Sequence, residues 1–143
     1  MGKLGYFLGS FFCLGKLPAA GTWGSLAGAI LAWCFPRQML VIFVAVTVLG
    51  YACSFIAKES FGTKDPGAFI LDEVSGMMLS VLWAPRTFVF YGGAFLLFRF
   101  FDIRKPWLIR SLDKMDHPTS IMNDDLAAGL VTAAILAVIL KLA

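Results

Sequence analysis

The chain has 143 residues, of which 59% are hydrophobic and 15% are charged, with a formal net charge of +3. A soluble domain carries about 25% charged residues, so this composition excludes a water-covered globule and indicates a protein that uses the bilayer as solvent. The small, dispersed positive charge gives no support for nucleic-acid binding. The length suits one integral-membrane domain over residues 1–143.

The first apolar stretch, residues 4–14, follows Lys3. It is too short to cross a bilayer, which requires about 20 apolar residues. Pro18 stands where a signal-peptide cleavage site needs a small residue, so cleavage is not expected. We therefore predict a short re-entrant or interfacial helix at this end of the chain.

Five longer apolar segments follow and predict an all-α, polytopic membrane helix bundle. They cover residues 23–35, 39–57, 69–84, 87–101 and 126–142. Four glycines in or beside these segments are expected to allow close helix packing, namely Gly76, Gly92, Gly93 and Gly129. The three cysteines lie in apolar runs without metal-binding spacing, which predicts buried free thiols at Cys13, Cys34 and Cys53.

If the five segments cross the membrane in alternating directions, most basic residues fall on one side. That side holds Lys16, Lys58, Lys64, Arg104, Lys105, Arg110 and Lys114, and the other holds Arg37, Arg86 and Lys141. By the positive-inside rule the first side is the cytoplasm. The same alternation brings every polar motif to that side: residues 21–25, 65–73, 99–110 and 123–125.

Carboxylates in apolar segments are costly, so they indicate a functional site. Five acids fall on the polar side, namely Asp72, Glu73, Asp102, Asp124 and Asp125. Oxygen ligands of this kind suit Mg²⁺ or Mn²⁺. Combined with Arg99, Arg104 and Lys105 they indicate phosphoryl chemistry. Each adjacent acidic pair, taken singly, fits a helix start equally well, with Asn123 as the N-cap of the second pair.

The Gly-Thr-Trp-Gly-Ser motif (residues 21–25) precedes a predicted helix. Such a loop offers backbone N–H groups, and the hydroxyls of Thr22 and Ser25, to an anion. It is equally consistent with an ordinary turn and cap. Lys105-Pro106-Trp107 is typical of a helix end with an aromatic anchor at the headgroup level.

Four motifs in this order resemble the bacterial phosphatidylglycerophosphatase A family. They are residues 21–25, Leu-Asp-Glu-Val-Ser-Gly (71–76), Phe-Arg-Phe-Phe-Asp-Ile-Arg-Lys-Pro-Trp (98–107) and Asn-Asp-Asp-Leu-Ala-Ala-Gly (123–129). The resemblance implies Mg²⁺-dependent hydrolysis of phosphatidylglycerophosphate to phosphatidylglycerol and phosphate, in phospholipid biosynthesis. It also implies a multi-pass protein of the bacterial inner membrane with its active site facing the cytoplasm.

The resemblance also implies a role for each polar residue. Mg²⁺ would be bound by Asp72, Glu73, Asp124 and Asp125. The substrate phosphate would be bound by Arg99, Lys105, Arg104, Thr22 and Ser25. Asp102 would orient Arg99 or join the metal ligands, and the catalytic set would be Asp72, Glu73, Asp102 and Arg99. Attack on phosphorus by water or by an aspartate carboxylate stays open, as does a homo-oligomer.

Two other classes share some of these features. A small membrane carrier also buries carboxylates and arginine, but places them near the bilayer midplane rather than at one face. A CDP-alcohol-type phospholipid transferase also uses Mg²⁺ and acids in membrane helices, but its Asp-Gly-x2-Ala-Arg spacing is missing. A non-catalytic subunit of a membrane complex would tolerate substitution of the charged residues.

Overall fold

Six helices make up the part of the chain described by the computed structural model, which covers Ser10 and residues 17–61, 69–114 and 117–142. They are α1 (Ala20–Cys34), α2 (Met39–Phe61), α3 (Leu71–Ser80), α4 (Phe88–Arg104), α5 (Trp107–Asp113) and α6 (Ser120–Leu142). No strand occurs in these residues, so the predicted all-α class is confirmed for them. The predicted helix over residues 4–14 lies, except for Ser10, outside the described residues.

The short helix α3 is the centre of the bundle and packs against α1, α2, α4 and α6. Eight of its ten residues are buried. At 1.5 Å per residue it is about 15 Å long, roughly half the thickness of a bilayer's hydrocarbon core. The predicted segment over residues 69–84 is therefore a short helix followed by a turn at residues 81–83.

The predicted number of membrane-crossing segments is supported only in part. By length and composition, one helix of the described chain, α6, is suited to cross a membrane, and Met39–Phe55 is a shorter apolar stretch. Five membrane segments are therefore not confirmed. The additional helix α5 was not predicted; it begins directly after Pro106, which ends the preceding segment as expected.

Glycines set the closest contacts of α3 with its neighbours. A Cβ atom on Gly28 would lie 2.5 Å from the Val74 carbonyl oxygen, and one on Gly76 would lie 2.7 Å from the Asp125 carbonyl oxygen. A Cβ on Gly129 would overlap the Gly76 backbone. The packing role predicted for Gly76 and Gly129 is thus confirmed.

The same role was wrong for Gly92 and Gly93. A Cβ on either residue would have no heavy atom of the described residues within 4 Å. Both lie on α4, where none of the other described helices approaches the backbone at these positions. Sequence alone does not separate the two kinds of glycine, because the difference depends on which helix lies opposite.

Apolar side chains cover much of the outside of the bundle. Val41, Phe88, Val89 and Leu96 are 72%, 84%, 82% and 71% exposed, whereas several carboxylates are buried. This distribution is the reverse of a soluble domain and suits a lipid environment. Cys34 and Cys53 are free thiols as predicted, but Cys34 is exposed rather than buried.

Candidate functional site

The first turns of α1 and α3, the last turns of α4 and the start of α6 meet at one end of the bundle. A Cβ on Gly21 of α1 would lie 2.6 Å from Glu73 Oε1 and 2.7 Å from Arg99 Nη1. Gly21 therefore lets the backbone of α1 approach both charged groups. The predicted convergence of the polar motifs is confirmed for these residues.

Three carboxylates form the centre of this end. Asp72, Glu73 and Asp125 each offer one oxygen, and these oxygens all lie within 4.8 Å of one another. Asp72 and Asp125 are only 7% and 3% exposed. Glu73 Oε2 is buried and has no hydrogen-bond partner among the described residues. Asp72 Oδ1 accepts a hydrogen bond from the Glu73 backbone N–H at 2.9 Å, as expected in the first turn of α3.

This arrangement fits a divalent cation. Three carboxylates in a low-dielectric interior repel one another unless protons or positive charges compensate them. The donor set consists only of oxygen atoms, which Mg²⁺ and Mn²⁺ prefer. The buried, unpaired oxygen of Glu73 would gain a partner by binding such an ion. Asp72, Glu73 and Asp125 are therefore the candidate metal ligands.

Arg99 and Asp102 form an ion pair one helical turn apart on α4, between Arg99 Nη1 and Asp102 Oδ2. Their side chains are 18% and 14% exposed. Asp102 also interacts with the carboxyl group of Asp125. Since a guanidinium has five N–H donors, Arg99 can hold Asp102 and a phosphate oxygen together. Asp102 thus links the arginine to the carboxylate group.

Lys105 and Asp124 form a second ion pair, with 2.5 Å between Lys105 Nζ and Asp124 Oδ2. Asp124 was predicted to bind metal with its neighbour Asp125. Consecutive helical residues point about 100° apart; on α6, Asp125 faces the other carboxylates and Asp124 faces Lys105. Within the described chain, Asp124 is not part of the three-carboxylate group.

The start of α6 rules out one alternative for this acidic pair. The helix begins at Ser120, so no acidic residue lies in its first turn. Asn123 is therefore not an N-cap, and Asp124 and Asp125 do not act as first-turn charges. Burial without a capping role strengthens the case that these two carboxylates serve a site.

The Gly-Thr-Trp-Gly-Ser motif lies inside α1 rather than in a loop before it. Thr22 N–H already donates to the Ala19 carbonyl at 2.9 Å. The buried Ser25 donates its hydroxyl to the Gly21 carbonyl at 2.8 Å, and Thr22 is exposed. The predicted loop is therefore the first turns of a helix, which begins at Ala20, and phosphate binding by Thr22 and Ser25 stays a prediction. Arg104 is exposed at the end of α4.

One contact at this end was not predicted. Tyr51 of α2 donates its hydroxyl to Asn123 Oδ1 at 2.6 Å, across 72 positions of sequence. A tyrosine hydroxyl in an otherwise apolar segment usually has a hydrogen-bond partner when buried. That rule could have indicated a polar contact, although not its partner. Through this bond α2 also supports the start of α6.

Comparison with known proteins identifies the family of this chain. The family model described as Phosphatidylglycerophosphatase A matches residues 7–140. The chain is 40% identical over 133 residues to phosphatidylglycerophosphatase A of Haemophilus influenzae, covering 88% of this chain and 78% of the relative. It is 36% identical over 124 residues to phosphatidylglycerophosphatase A of Escherichia coli K12, covering 81% and 71%.

A third relative carries a different name. A Bacteroides thetaiotaomicron protein, provisionally named phosphatidylinositol-3-phosphatase, is 31% identical over 143 aligned positions, covering 92% of this chain and 90% of the relative. No solved structure matches the chain. Because the family model spans nearly the whole sequence and two relatives carry its name, the chain is a member of the phosphatidylglycerophosphatase A family of phosphatases.

Proposed function

We propose that this protein removes the terminal phosphate of phosphatidylglycerophosphate with the help of Mg²⁺ held by Asp72, Glu73 and Asp125. The two relatives named phosphatidylglycerophosphatase A take their name from this activity. The observation that carries the metal proposal is the group of three carboxylates, in which Asp72 and Asp125 are buried and the buried Glu73 Oε2 has no hydrogen-bond partner among the described residues.

Each charged side chain has a task in this proposal. Mg²⁺ would supply positive charge that neutralises phosphate oxygens and polarises the phosphorus. Arg99 binds phosphate oxygens through N–H groups, and its ion pair with Asp102 fixes the direction of the guanidinium. Lys105, held by Asp124, adds a second cation at the same end. These fixed charges favour a transition state in which negative charge develops on the phosphoryl oxygens.

The hydrolysis itself needs one proton acceptor. Water forms the new P–O bond, the bond from phosphorus to the glycerol oxygen breaks, and a carboxylate of the group takes the water proton. The glycerol oxygen leaves with a proton from solvent or from that carboxyl group. In a single turnover in ¹⁸O-labelled water, the label enters phosphate whenever water attacks phosphorus, either in the lipid or in an aspartyl phosphate. Label in an aspartate carboxyl group would establish direct attack by the enzyme, followed by attack of water at the carbonyl carbon.

We further propose that the site end faces the cytoplasm of a bacterial inner membrane and that several helices lie within the bilayer. The exposed apolar surface and the apolar length of α6 support insertion. Arg99, Arg104 and Lys105 lie at the site end, and Arg37 lies beyond the other end of α1. A membrane-impermeant maleimide applied to intact cells should label Arg37→Cys but not Arg104→Cys, in a background whose native cysteines are replaced by alanine.

The experiment that tests the activity is phosphate release from phosphatidylglycerophosphate in detergent, with Mg²⁺ or with EDTA. Wild-type protein and an Arg37→Gln control should release phosphate only with the metal, and Asp72→Asn should release none. Folding of all three is checked by gel filtration and thermal melting. Absence of release from folded wild-type protein would refute the proposal, and metal-independent release would remove Mg²⁺ from it.

A further inference from the structure

An apolar groove of about 400 Å³ runs between α1 and α4, outside the carboxylate group. Its lining includes Leu26, Ile30 and Trp33 of α1 and Tyr91, Gly92 and Phe95 of α4. Its volume is within the range of small-molecule pockets. No residue of the proposed chemistry lines it.

The groove starts beside the site. Gly21 and Arg99 are in contact range across the same two helices, and the groove begins about one turn further along each, at Leu26 and Phe95. At 1.5 Å per residue, Phe95 is about 6 Å from Arg99 along α4. A ligand held by its phosphate at Arg99 therefore has the open end of the groove directly next to it.

Aromatic rings close the far end. Trp33 stacks on Phe88 with 4.8 Å between ring centroids and meets Tyr91 edge-on at 5.1 Å. The Arg86 guanidinium lies 5.7 Å above the Trp33 ring. The groove itself, from Phe95 to Phe88, is about 10 Å long along α4. That length holds the larger part of one lipid acyl chain, because one leaflet of a bilayer contains ~15 Å of hydrocarbon.

We propose that this groove holds an acyl chain of the lipid substrate while the phosphate is bound at Arg99. The inference rests on the proposed function, since it names the part of the same substrate that α1 and α4 recognise. The apolar lining, the aromatic closure of the far end and the continuity with the phosphate end favour an acyl chain over a helix of a second copy, which would need a longer and open-ended groove.

Gly92 makes the proposal testable. It lines the groove, and a Cβ placed there meets no heavy atom of the described residues within 4 Å, so the backbone of α4 accommodates the Cβ of Gly92→Phe and the ring takes up groove space. Gly93 is the matched control, because it has the same open surroundings and is not part of the groove lining. Both substitutions also replace a helix-weakening glycine, so neither should impair folding.

The first measurement compares kcat/KM for dioleoyl and dihexanoyl phosphatidylglycerophosphate in detergent. Gly92→Phe should lower the ratio of long-chain to short-chain kcat/KM about tenfold, the equivalent of losing contact with about two methylene groups. Gly93→Phe should keep the wild-type ratio. An unchanged ratio in Gly92→Phe, or an equal fall in both variants, would overturn the proposal.

A second measurement separates this inference from the hydrolase proposal. Long-chain phosphatidylglycerophosphate with a diazirine at mid-chain is photolysed on the full protein, and the labelled residues are mapped by mass spectrometry. Label at Trp33, Tyr91 or Phe95 that excess unlabelled long-chain lipid removes would support the groove, even if wild-type protein released no phosphate. Competed label elsewhere, or on a second copy's interface, would refute it.

Discussion

The close contact between Gly76 and Asp125 allows a test of whether the spacing between α3 and α6 positions the candidate metal ligands. Replacing Gly76 with alanine puts a Cβ 2.7 Å from the Asp125 carbonyl oxygen and 2.7 Å from Phe98 Cε2. Ordinary contacts begin at 3.4 Å, so both the Asp125 backbone of α6 and the Phe98 ring must move by about 0.7 Å relative to α3. The residue displaced on α6 is one of the three carboxylates, and its two partners lie on α3.

Two opposing terms set the stability of this variant. Alanine gains up to ~1 kcal/mol over glycine within a helix, whereas overpacking a close contact costs about 1–3 kcal/mol. Gly93→Ala isolates the first term because its Cβ meets no heavy atom within 4 Å in the described part of the chain. We expect Gly76→Ala to melt below wild type and Gly93→Ala to melt at or above it.

The effect on activity should exceed the effect on stability. A displacement approaching 1 Å in a site can lower the rate by ~10²-fold, so we expect phosphate release by Gly76→Ala to fall about tenfold to a hundredfold. The assay is run well below the melting temperature of both variants, with Gly93→Ala as the control. Wild-type rates in Gly76→Ala would show that the spacing between α3 and α6 does not position the reacting groups.

Three other changes test separate contacts. Asp125→Asn should reduce phosphate release to background and remove any rise in melting temperature caused by Mg²⁺; a persistent rise would exclude Asp125 as a ligand. Lys105→Met should lower the unfolding free energy by about 1–3 kcal/mol, because its carboxylate partner is buried. The control Arg104→Met, at an exposed position, should change the unfolding free energy by no more than about 0.5 kcal/mol. Equal denaturation curves for the two variants would contradict this prediction. Tyr51→Phe should lower the unfolding free energy by about 1 kcal/mol through loss of the hydrogen bond to Asn123. An unchanged melting curve would contradict this expectation.

The helical class and the meeting of the polar motifs could be predicted because both follow from simple periodicity. Apolar runs separated by Pro and polar residues mark the helices, and alternation of direction brings their polar ends together. The end of α3 at Ser80 could not be predicted, since residues 81–84 continue the apolar run and the first proline is Pro85. Hydropathy measures composition, and it does not detect a turn within an apolar stretch.

The different contacts of Asp124 and Asp125 could not be predicted from the sequence either. Both are acidic, adjacent and buried, and only the neighbouring helices determine that one faces Lys105 and the other faces Asp72 and Glu73. The same applies to the hydrogen bond between Tyr51 and Asn123, whose partners are far apart in sequence. Residue type could indicate the chemistry of the site, but which side chains contact one another depends on tertiary packing.

The shortness of α3 has a consequence for how this protein is made. A ten-residue helix with two carboxylates would not be retained in a bilayer on its own, because it is about half a membrane long and carboxylates in lipid are costly. If α3 lies within the bilayer, as proposed above, it enters the membrane together with a neighbour, and α4 follows it directly in the chain. Biogenesis of the candidate site would then await synthesis of α6, which supplies its third carboxylate, so that no partial chain exposes a working phosphatase during translation.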